Sequence, residues 1–447
     1  MQFDDLMNQK VVIWGAGREG LSAFKQLASR GIPASIAVTD VMADPEIANP
    51  NVVYGPQAEL VLDSADVVLK SPGIPQTSPR FIELRTAGKK LTSLMDLWLT
   101  ENCDKVIAVT GTKGKSTTAA IINHILSCLG YDSRLMGNVG IPVEGTLSSK
   151  QTAVVEVSSY QAASISHSPR LAVLTSLFPE HLPWHGSYDQ YCRDKMNLIS
   201  HNPNCVVLPS NDDHLVSYAR SFFTPDVTAL TPKDLMIDTT ANSISWRDVG
   251  NLNCDSLSLA GIHNYANAGL ALTAAAFWCQ LSSSFDRRRA LNSLRSFRPL
   301  EHRLQVVPSS DERTWIDDSL ATNPQAVVAA LKAYQNFPIT LILGGADRGL
   351  SLTPLIKFFR ESNPGAPVQV FCTGPLGRRF AQEFGKTPPR IEVKIAACFR
   401  NALDLARTHS HPQAIVLLSP GAPSFDEFKD YRAKSSAFKT YALIQQN

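Results

Sequence analysis

No stretch of about 18 uncharged apolar residues occurs in the 447-residue chain, so no membrane-spanning helix and no membrane partner are expected. Lysine and arginine form no block and the formal net charge is only +2, so no nucleic-acid partner is expected either. Cys-x-x-Cys is absent. The eight cysteines are scattered, which suits reduced thiols rather than a disulfide frame or a zinc site. The start, Met1 to Asp5, is acidic and lacks a basic segment followed by an apolar run. No signal peptide is therefore expected, and the expected location is the cytoplasm. Internal repeats and low-complexity tracts are missing as well.

What is present is an ordinary globular composition, 44% apolar and 18% charged, in a chain too long for one hydrophobic core. The first hundred residues alternate strands and helices. Lys10–Trp14, Ser35–Thr39 and Val67–Lys70 read as strands, and Leu21–Ser29 reads as a helix. This is a doubly wound pattern, in which ligands sit beyond the carboxyl ends of strands. Gly15, Gly17 and Gly20, with Asp40 about twenty residues on, resemble a dinucleotide fingerprint. Three readings stay open: NAD, a nucleotide-sugar diphosphate, or close packing of helix on strand. The nucleotide sugar is favoured, because a better phosphate loop lies downstream. Arg18 and Glu19 are polar enough to touch a ligand, and Ser71 to Pro75 closes the third strand.

A polar break at Glu101 to Asp104 precedes that loop. Val106 to Val109 reads as a buried strand. Gly111, Thr112, Lys113 and Gly114 make a tight turn, and Lys115, Ser116 and Thr117 open an alanine- and isoleucine-rich helix. Glycines let backbone N–H groups turn toward one anion, the helix start adds partial positive charge, Lys115 supplies a full one, and Ser116 offers a hydroxyl to Mg²⁺. The strict phosphate-loop pattern would put its first glycine at Val109, so this loop is shorter than the standard one.

Further carboxylates and cations follow predicted strands. Glu156 ends the strand Ala153–Val157, where phosphate-loop enzymes commonly place a Mg²⁺ carboxylate. Glu180 and His181 follow the strand Leu171–Thr175 and are candidates for a second metal, whereas His185, beside Gly186, reads as a turn residue. Lys195 falls in a helical stretch, 188–199, where a lysine faces solvent by default. At a Mg²⁺ site its charge would have to be cancelled. Residues 238–259 read as a small antiparallel addition. His263, Asn264 and Asn267 start a helix, either as caps or as contacts to a base or ribose. Phe297 to Arg303 reads as a connector. His302, Arg303, Asp317 and Asp318 could reach a nucleotide. The loops Gly344–Gly349 and Ser419–Ser424, each after a predicted strand, are candidates for an acceptor substrate.

Together, these motifs resemble the Mur ligases, the ATP-dependent amino-acid ligases of peptidoglycan precursor synthesis, in order and over nearly the whole chain. The resemblance implies an α/β fold of three domains. They are a Rossmann-like UDP-sugar domain (1–100), a central P-loop ATPase domain (101–298) and a Rossmann-like glutamate domain (299–447). It implies catalytic roles for Lys115, His181 and Lys195. Residues 111–117, Asn267, Arg303 and Asp318 would bind ATP. Ser116, Glu156, His181 and a carbamylated Lys195 would serve two Mg²⁺ ions. Gly17, Arg18, Glu19, Asp40, Ser71 and Gly73 would meet the UDP-sugar, and Asn138 would contact it or the metal shell. Thr322, Arg348, Ser424 and Tyr431 would grip glutamate. A monomer acting on small molecules, with a part in cell-wall biogenesis and hence cell shape and division, is implied too.

Ser71 to Ile74 and Leu418 to Phe425 look most like the glutamate-adding member. The segments 111–115, 178–181, 345–349 and 419–424 look like its L-glutamate branch, with D-glutamate the alternative. The reaction implied is an amide ligation through an acyl phosphate on UDP-N-acetylmuramoyl-L-alanine. Lys113, Glu180, Leu320, Arg348 and Tyr431 depart from the common residues Asn, Asp, Lys, Lys and Phe. A folylpolyglutamate-type ligase would need a pterin pocket in place of the first hundred residues. A non-enzymatic nucleotide-binding regulator would have no use for Glu156, His181 and Lys195 together.

Overall fold

The computed structural model describes residues 1–39, 51–138, 141–238, 240–259, 261–361, 367–385 and 390–444, and Asp40 lies outside them. The chain divides into two compact units. One is Met1–Asn253 with Ala266–Ser296, the other Cys254–Tyr265 with Phe297–Asn447.

Among the described residues the first unit holds three sheets. Strands β1 (Val11–Trp14), β2 (Ala34–Val38), β3 (Val52–Tyr54), β4 (Val67–Lys70) and β5 (Lys90–Thr92) form a parallel sheet of order β3-β2-β1-β4-β5. The strand order reverses between β1 and β4, which run parallel, and such a switch point opens a crevice at the carboxyl ends of the two strands. The second sheet comprises β6 (Val106–Thr110), β7 (Asp132–Gly137), β8 (Gln151–Glu156), β9 (Leu171–Leu174), β10 (Cys205–Val207) and β11 (Thr228–Leu230), in the order β11-β10-β9-β6-β8-β7. Strands β12 (Leu235–Asp238), β13 (Ser243–Trp246) and β14 (Gly250–Asn253) make the expected antiparallel addition.

β6 is buried at every residue. That is why it reads as an unbroken apolar run: helices or loops cover both faces of a parallel sheet. Its helix, Lys115–Cys128, packs Ala119, Ile121, Ile122, Ile125 and Leu126 inward. Each fully buried Ile or Leu there contributes roughly 1.5–3 kcal/mol of transfer free energy. The register sets Val109 opposite Glu156 on β8 and Val173 on β9, so the loops leaving these three strands share one end of the sheet.

The second unit has one six-stranded sheet: β15 (Gln305–Val307), β16 (Thr314–Asp317), β17 (Ile339–Gly344), β18 (Val368–Thr373), β19 (Ile391–Ile395) and β20 (Ile415–Leu418), ordered β15-β16-β20-β17-β18-β19. Only β15 runs antiparallel to its neighbour. Separate apolar clusters cover its two faces, one around Phe359, Phe380 and Phe384, the other around Trp315, Phe399 and Phe438.

The sequence reading missed β3, β5, β7, β10, β11, β15, β16 and β19 as strands. Six of the eight are sheet edges, where one side lacks a partner and residues need not be apolar throughout. Ile391 to Ile395 alternates apolar with Glu392 and Lys394. The helix read as 188–199 is α-helical over Tyr188–Met196 and tightens to a 3₁₀ turn at Asn197–Ile199.

Candidate active site

The phosphate loop is fixed by its own hydrogen bonds. Gly111 and Gly114 have φ of +144° and +86°, which L side chains rarely adopt. A Cβ on Gly111 would collide with Thr175 Oγ1, and one on Gly114 with Asn267 Oδ1. Asn267 therefore lies directly against the loop, as a nucleotide contact requires. The Lys113 N–H donates to Ser176 Oγ (2.9 Å), and Thr112 N–H donates to Ser176 O (2.8 Å). The Thr112 hydroxyl faces inward, 2.6 Å from Tyr191 OH, and accepts from Phe178 N–H, so this side chain braces the loop rather than facing a ligand. Lys115 Nζ donates to Thr112 O at 2.8 Å, and Ser116 is buried at the helix start.

Glu156 closes β8 and is 1% exposed. Asn138 Nδ2 donates to its Oε1 at 3.0 Å, whereas Oε2 is buried with no hydrogen-bond partner among the described residues. Asn138 thus sits in the carboxylate's shell. His181 has φ +57° and precedes the short helix Leu182–His185. Burial holds the His181 imidazole below its ordinary pKa, and Lys195, Lys115 and Lys113 add to this against the pull of Glu180. At Glu180 burial works upward, but the Lys113 ion pair outweighs it and the carboxyl is held low.

Lys195 corrects the solvent-facing default: it is 2% exposed and donates to Gly111 O at 2.6 Å. Burial, then the repulsion of Lys115, pushes its pKa well below that of a free lysine, despite the attraction of Glu180 and Glu156. The composition of its helix gave no sign of this, because Tyr188–Met196 is largely polar. His185 also departs from the turn reading. It is buried between Ser159 and Asp194.

At the carboxyl end of the first sheet, Ser71 Oγ donates to Gly15 O (3.1 Å), and a Cβ on Gly20 would collide with that same oxygen. Those two glycines serve the turn's own packing. Gly17 has open space around it and leaves the backbone accessible. Arg18 is exposed at the helix start. Gln161 Nε2 donates to Glu19 at 2.9 Å, and burial raises that carboxyl. Trp184 Nε1 donates to Gly73 O at 3.0 Å. Lys70, which the sequence reading passed over, is 3% exposed beside this loop; burial lowers its pKa to about 8 against the attraction of Glu19 and Asp194.

In the second unit, Asp318 follows β16 and accepts from Ser419 Oγ at 2.8 Å. Burial pushes its carboxyl up to about 7, opposed by that bond and by the charge of Arg303. Arg348 is exposed on the loop after β17, next to Asp347, which Arg379 holds at 2.6 and 3.0 Å. Ser424 is buried with an unpartnered Oγ among the described residues. The Tyr431 ring stands edge-on to His302, 5.3 Å between centroids, and Thr322 is half-buried after Asp318.

Comparison with known proteins finds relatives over nearly the whole chain. The Mur ligase middle domain model covers residues 109–275, and the Mur ligase, glutamate ligase domain model covers 302–421. UDP-N-acetylmuramoyl-L-alanine--L-glutamate ligase of a Micromonospora species is 34% identical, over 98% of this chain and 97% of its own. The protein of the same name from Xanthomonas oryzae pv. oryzae is 30% identical over 99% and 97%. Among solved structures, UDP-N-acetylmuramate-alanine ligase of Thermotoga maritima superposes with a TM-score of 0.58 at 19% identity, covering 96% and 98% of the two chains. The MurF ligase of the same organism, in complex with ADP, gives 0.58 at 16%, covering 98% and 99%. With near-complete coverage at this identity, a shared fold and both domain models matched, the chain belongs to the Mur ligase family.

Proposed function

We propose that the protein is an ATP-dependent ligase that joins L-glutamate to UDP-N-acetylmuramoyl-L-alanine in peptidoglycan precursor synthesis. The observation that carries this reading is the grouping at one end of the central sheet. A phosphate loop, a buried carboxylate with an unpartnered oxygen and a buried lysine of depressed basicity meet there. The relatives' names supply the substrates and support L- over D-glutamate.

Residues 1–100 would take the UDP-sugar through Gly17, Arg18, Glu19, Ser71 and Gly73. The residues present fit Mg²⁺. Among the described residues Glu156 Oε2 is buried without a hydrogen-bond partner, a costly state for a carboxylate unless a cation meets it, and burial lowers the pKa of His181, which favours the neutral ring that ligates a metal. Ser116, Glu156 and His181 would hold two ions, with waters and phosphate oxygens completing the shells. Bound Mg²⁺ would neutralise charge on the transferring phosphoryl group.

Burial beside Lys115 disfavours an ammonium on Lys195 and so favours the neutral amine, the form that adds CO₂ with loss of a proton. The resulting carbamate removes the positive charge that would repel a metal. Lys115 and the loop's N–H groups orient the phosphates. The substrate carboxylate attacks the γ-phosphate of ATP, giving an acyl phosphate and ADP. The glutamate amine, presented by Thr322, Arg348, Ser424 and Tyr431, then adds to the acyl carbon, and phosphate leaves with an amide formed. Positioning and electrostatics supply most of the rate in such a transfer.

An ADP-release assay with UDP-N-acetylmuramoyl-L-alanine and each glutamate enantiomer tests this. Turnover with L-glutamate is expected. Turnover with neither enantiomer would sink the proposal, and preference for D-glutamate would overturn the enantiomer alone.

A further inference from the structure

One imidazole is tied to all three elements that carry the proposed metal site. His185 is 2% exposed, and both its ring nitrogens are engaged. Nε2 lies 3.0 Å from Ser159 Oγ, and Nδ1 lies 2.5 Å from Asp194 Oδ2. Ser159 follows Glu156 by one short turn beyond β8, and Asp194 directly precedes Lys195. His185 itself ends the helix that begins just after His181. Gln190 Nε2 occupies the other Asp194 oxygen at 2.8 Å. The Tyr160 ring stacks on His185 at 5.6 Å and leans on His181 at 5.0 Å.

This arrangement is poorly suited to catalysis by His185 itself. Neither ring nitrogen is left for a substrate, and the side chain has no exposure to speak of. It is also a weak way to gain stability, since burying polar groups costs about as much as their hydrogen bonds return. What it does supply is geometry. Two fixed bonds on a rigid ring set the spacing between the turn after Glu156 and the helix bearing Lys195.

We infer that His185 is a positioning residue for the ligation. Through Ser159 and Asp194 it sets the relative placement of Glu156, His181 and Lys195, and hence the divalent-cation affinity of the site. The inference rests on the metal reading given above. Such outer partners matter because their loss typically costs about 10–100-fold in metal affinity or activity.

The test compares wild type with Ser159→Ala, His185→Asn, their double variant and Glu156→Gln. Calorimetric binding of Mg²⁺·ADP to the free protein, the Mg²⁺ requirement of turnover, kcat, KM for glutamate and thermal unfolding are measured. Ser159→Ala and His185→Asn should weaken Mg²⁺·ADP binding and lower kcat by about tenfold or more, with KM for glutamate unchanged. The double variant should be no worse than His185→Asn, because the two act through one bond. A lowered melting temperature with wild-type Mg²⁺ dependence would mean a merely structural role and overturn the inference. If His185→Asn does not fold, Ser159→Ala decides alone, since it deletes one hydroxyl. Wild-type Mg²⁺ affinity in Glu156→Gln would sink the metal reading, and the inference with it. Loss in Glu156→Gln alone would sink only the inference.

Discussion

Lys113 Nζ lies 2.5 Å from Glu180 Oε1, so the second cation of the phosphate loop is held by a carboxylate from the turn after β9. Both side chains are partly exposed, 42% and 25%, so the pair contributes at most about 1 kcal/mol to stability. Its larger effect is competition: a phosphate must draw Lys113 away from Glu180. Glu180→Gln should therefore leave the melting temperature nearly unchanged while ADP binds more tightly without Mg²⁺, by roughly up to fivefold. Titration calorimetry in chelator reads this directly. Unchanged or weaker binding would show that the pair does not compete with phosphate.

Gly114→Ala should abolish turnover by a backbone route. The position needs φ +86°, which costs an L residue roughly 1–2 kcal/mol, and the added methyl meets Asn267 Oδ1. The chain should stay folded, because the loop is a small part of the unit. ADP affinity should fall at least tenfold, the result of moving either the loop or Asn267. Gly130→Ala, at φ +94° with open space beyond the other end of the same helix, is the matched control for a strained backbone away from the loop.

Why the phosphate loop was legible and its surroundings less so has a physical basis. Glycines with positive φ, a following Lys115 and Ser116, and a continuous apolar strand are local requirements, so they are written locally. Lys195 and His185 depend on what packs over them. Their burial comes from Gly111, Ser159 and Tyr160, which are distant in sequence. Lys70 was invisible for the same reason: at a strand end it could as well have been solvated. The edge strands β3 and β15 were missed because unpaired edges relax the apolar pattern. The fingerprint glycines could be divided only with coordinates, which give Gly15 and Gly20 to packing and leave Gly17 open.

Lys195 should make activity depend on dissolved CO₂. Burial and the charge of Lys115 lower its pKa well below that of a free lysine and so favour the neutral amine, the form that adds CO₂. Protein prepared and assayed in CO₂-free buffer should lose most of its activity and recover it on addition of bicarbonate. ¹³C-bicarbonate should give one carbamate resonance that is absent from Lys195→Arg. That variant keeps a permanent charge and should fall by about 10²-fold or more in kcat. Full activity in CO₂-free buffer, with no resonance, would remove the carbamate from the mechanism.

Asp318 should give the second unit a pH-dependent stability of predictable sign. Burial raises its carboxyl to about 7, although Ser419, Arg303 and the Leu304 N–H pull it down. In the unfolded chain an aspartate titrates near about 3.9. Between roughly pH 4 and 7 the folded form therefore holds a proton that the unfolded form releases. Stability falls as pH rises through that window, by up to about 1.4 kcal/mol per unit, and flattens above about 7. Asp317 acts elsewhere on the scale. Burial raises it, but bonds from Ser435, His302 and Ser319 win, so its contribution is lost only on acidification below the ordinary aspartate range. Asp318→Asn should remove the slope between pH 5 and 7 and make the variant the more stable protein at pH 7.5. Because the chain has two units, amide exchange along β16, rather than a single melting curve, is the measurement to use. Equal slopes for wild type and variant would mean that Asp318 is already ionised across this range, with Arg303 outweighing burial.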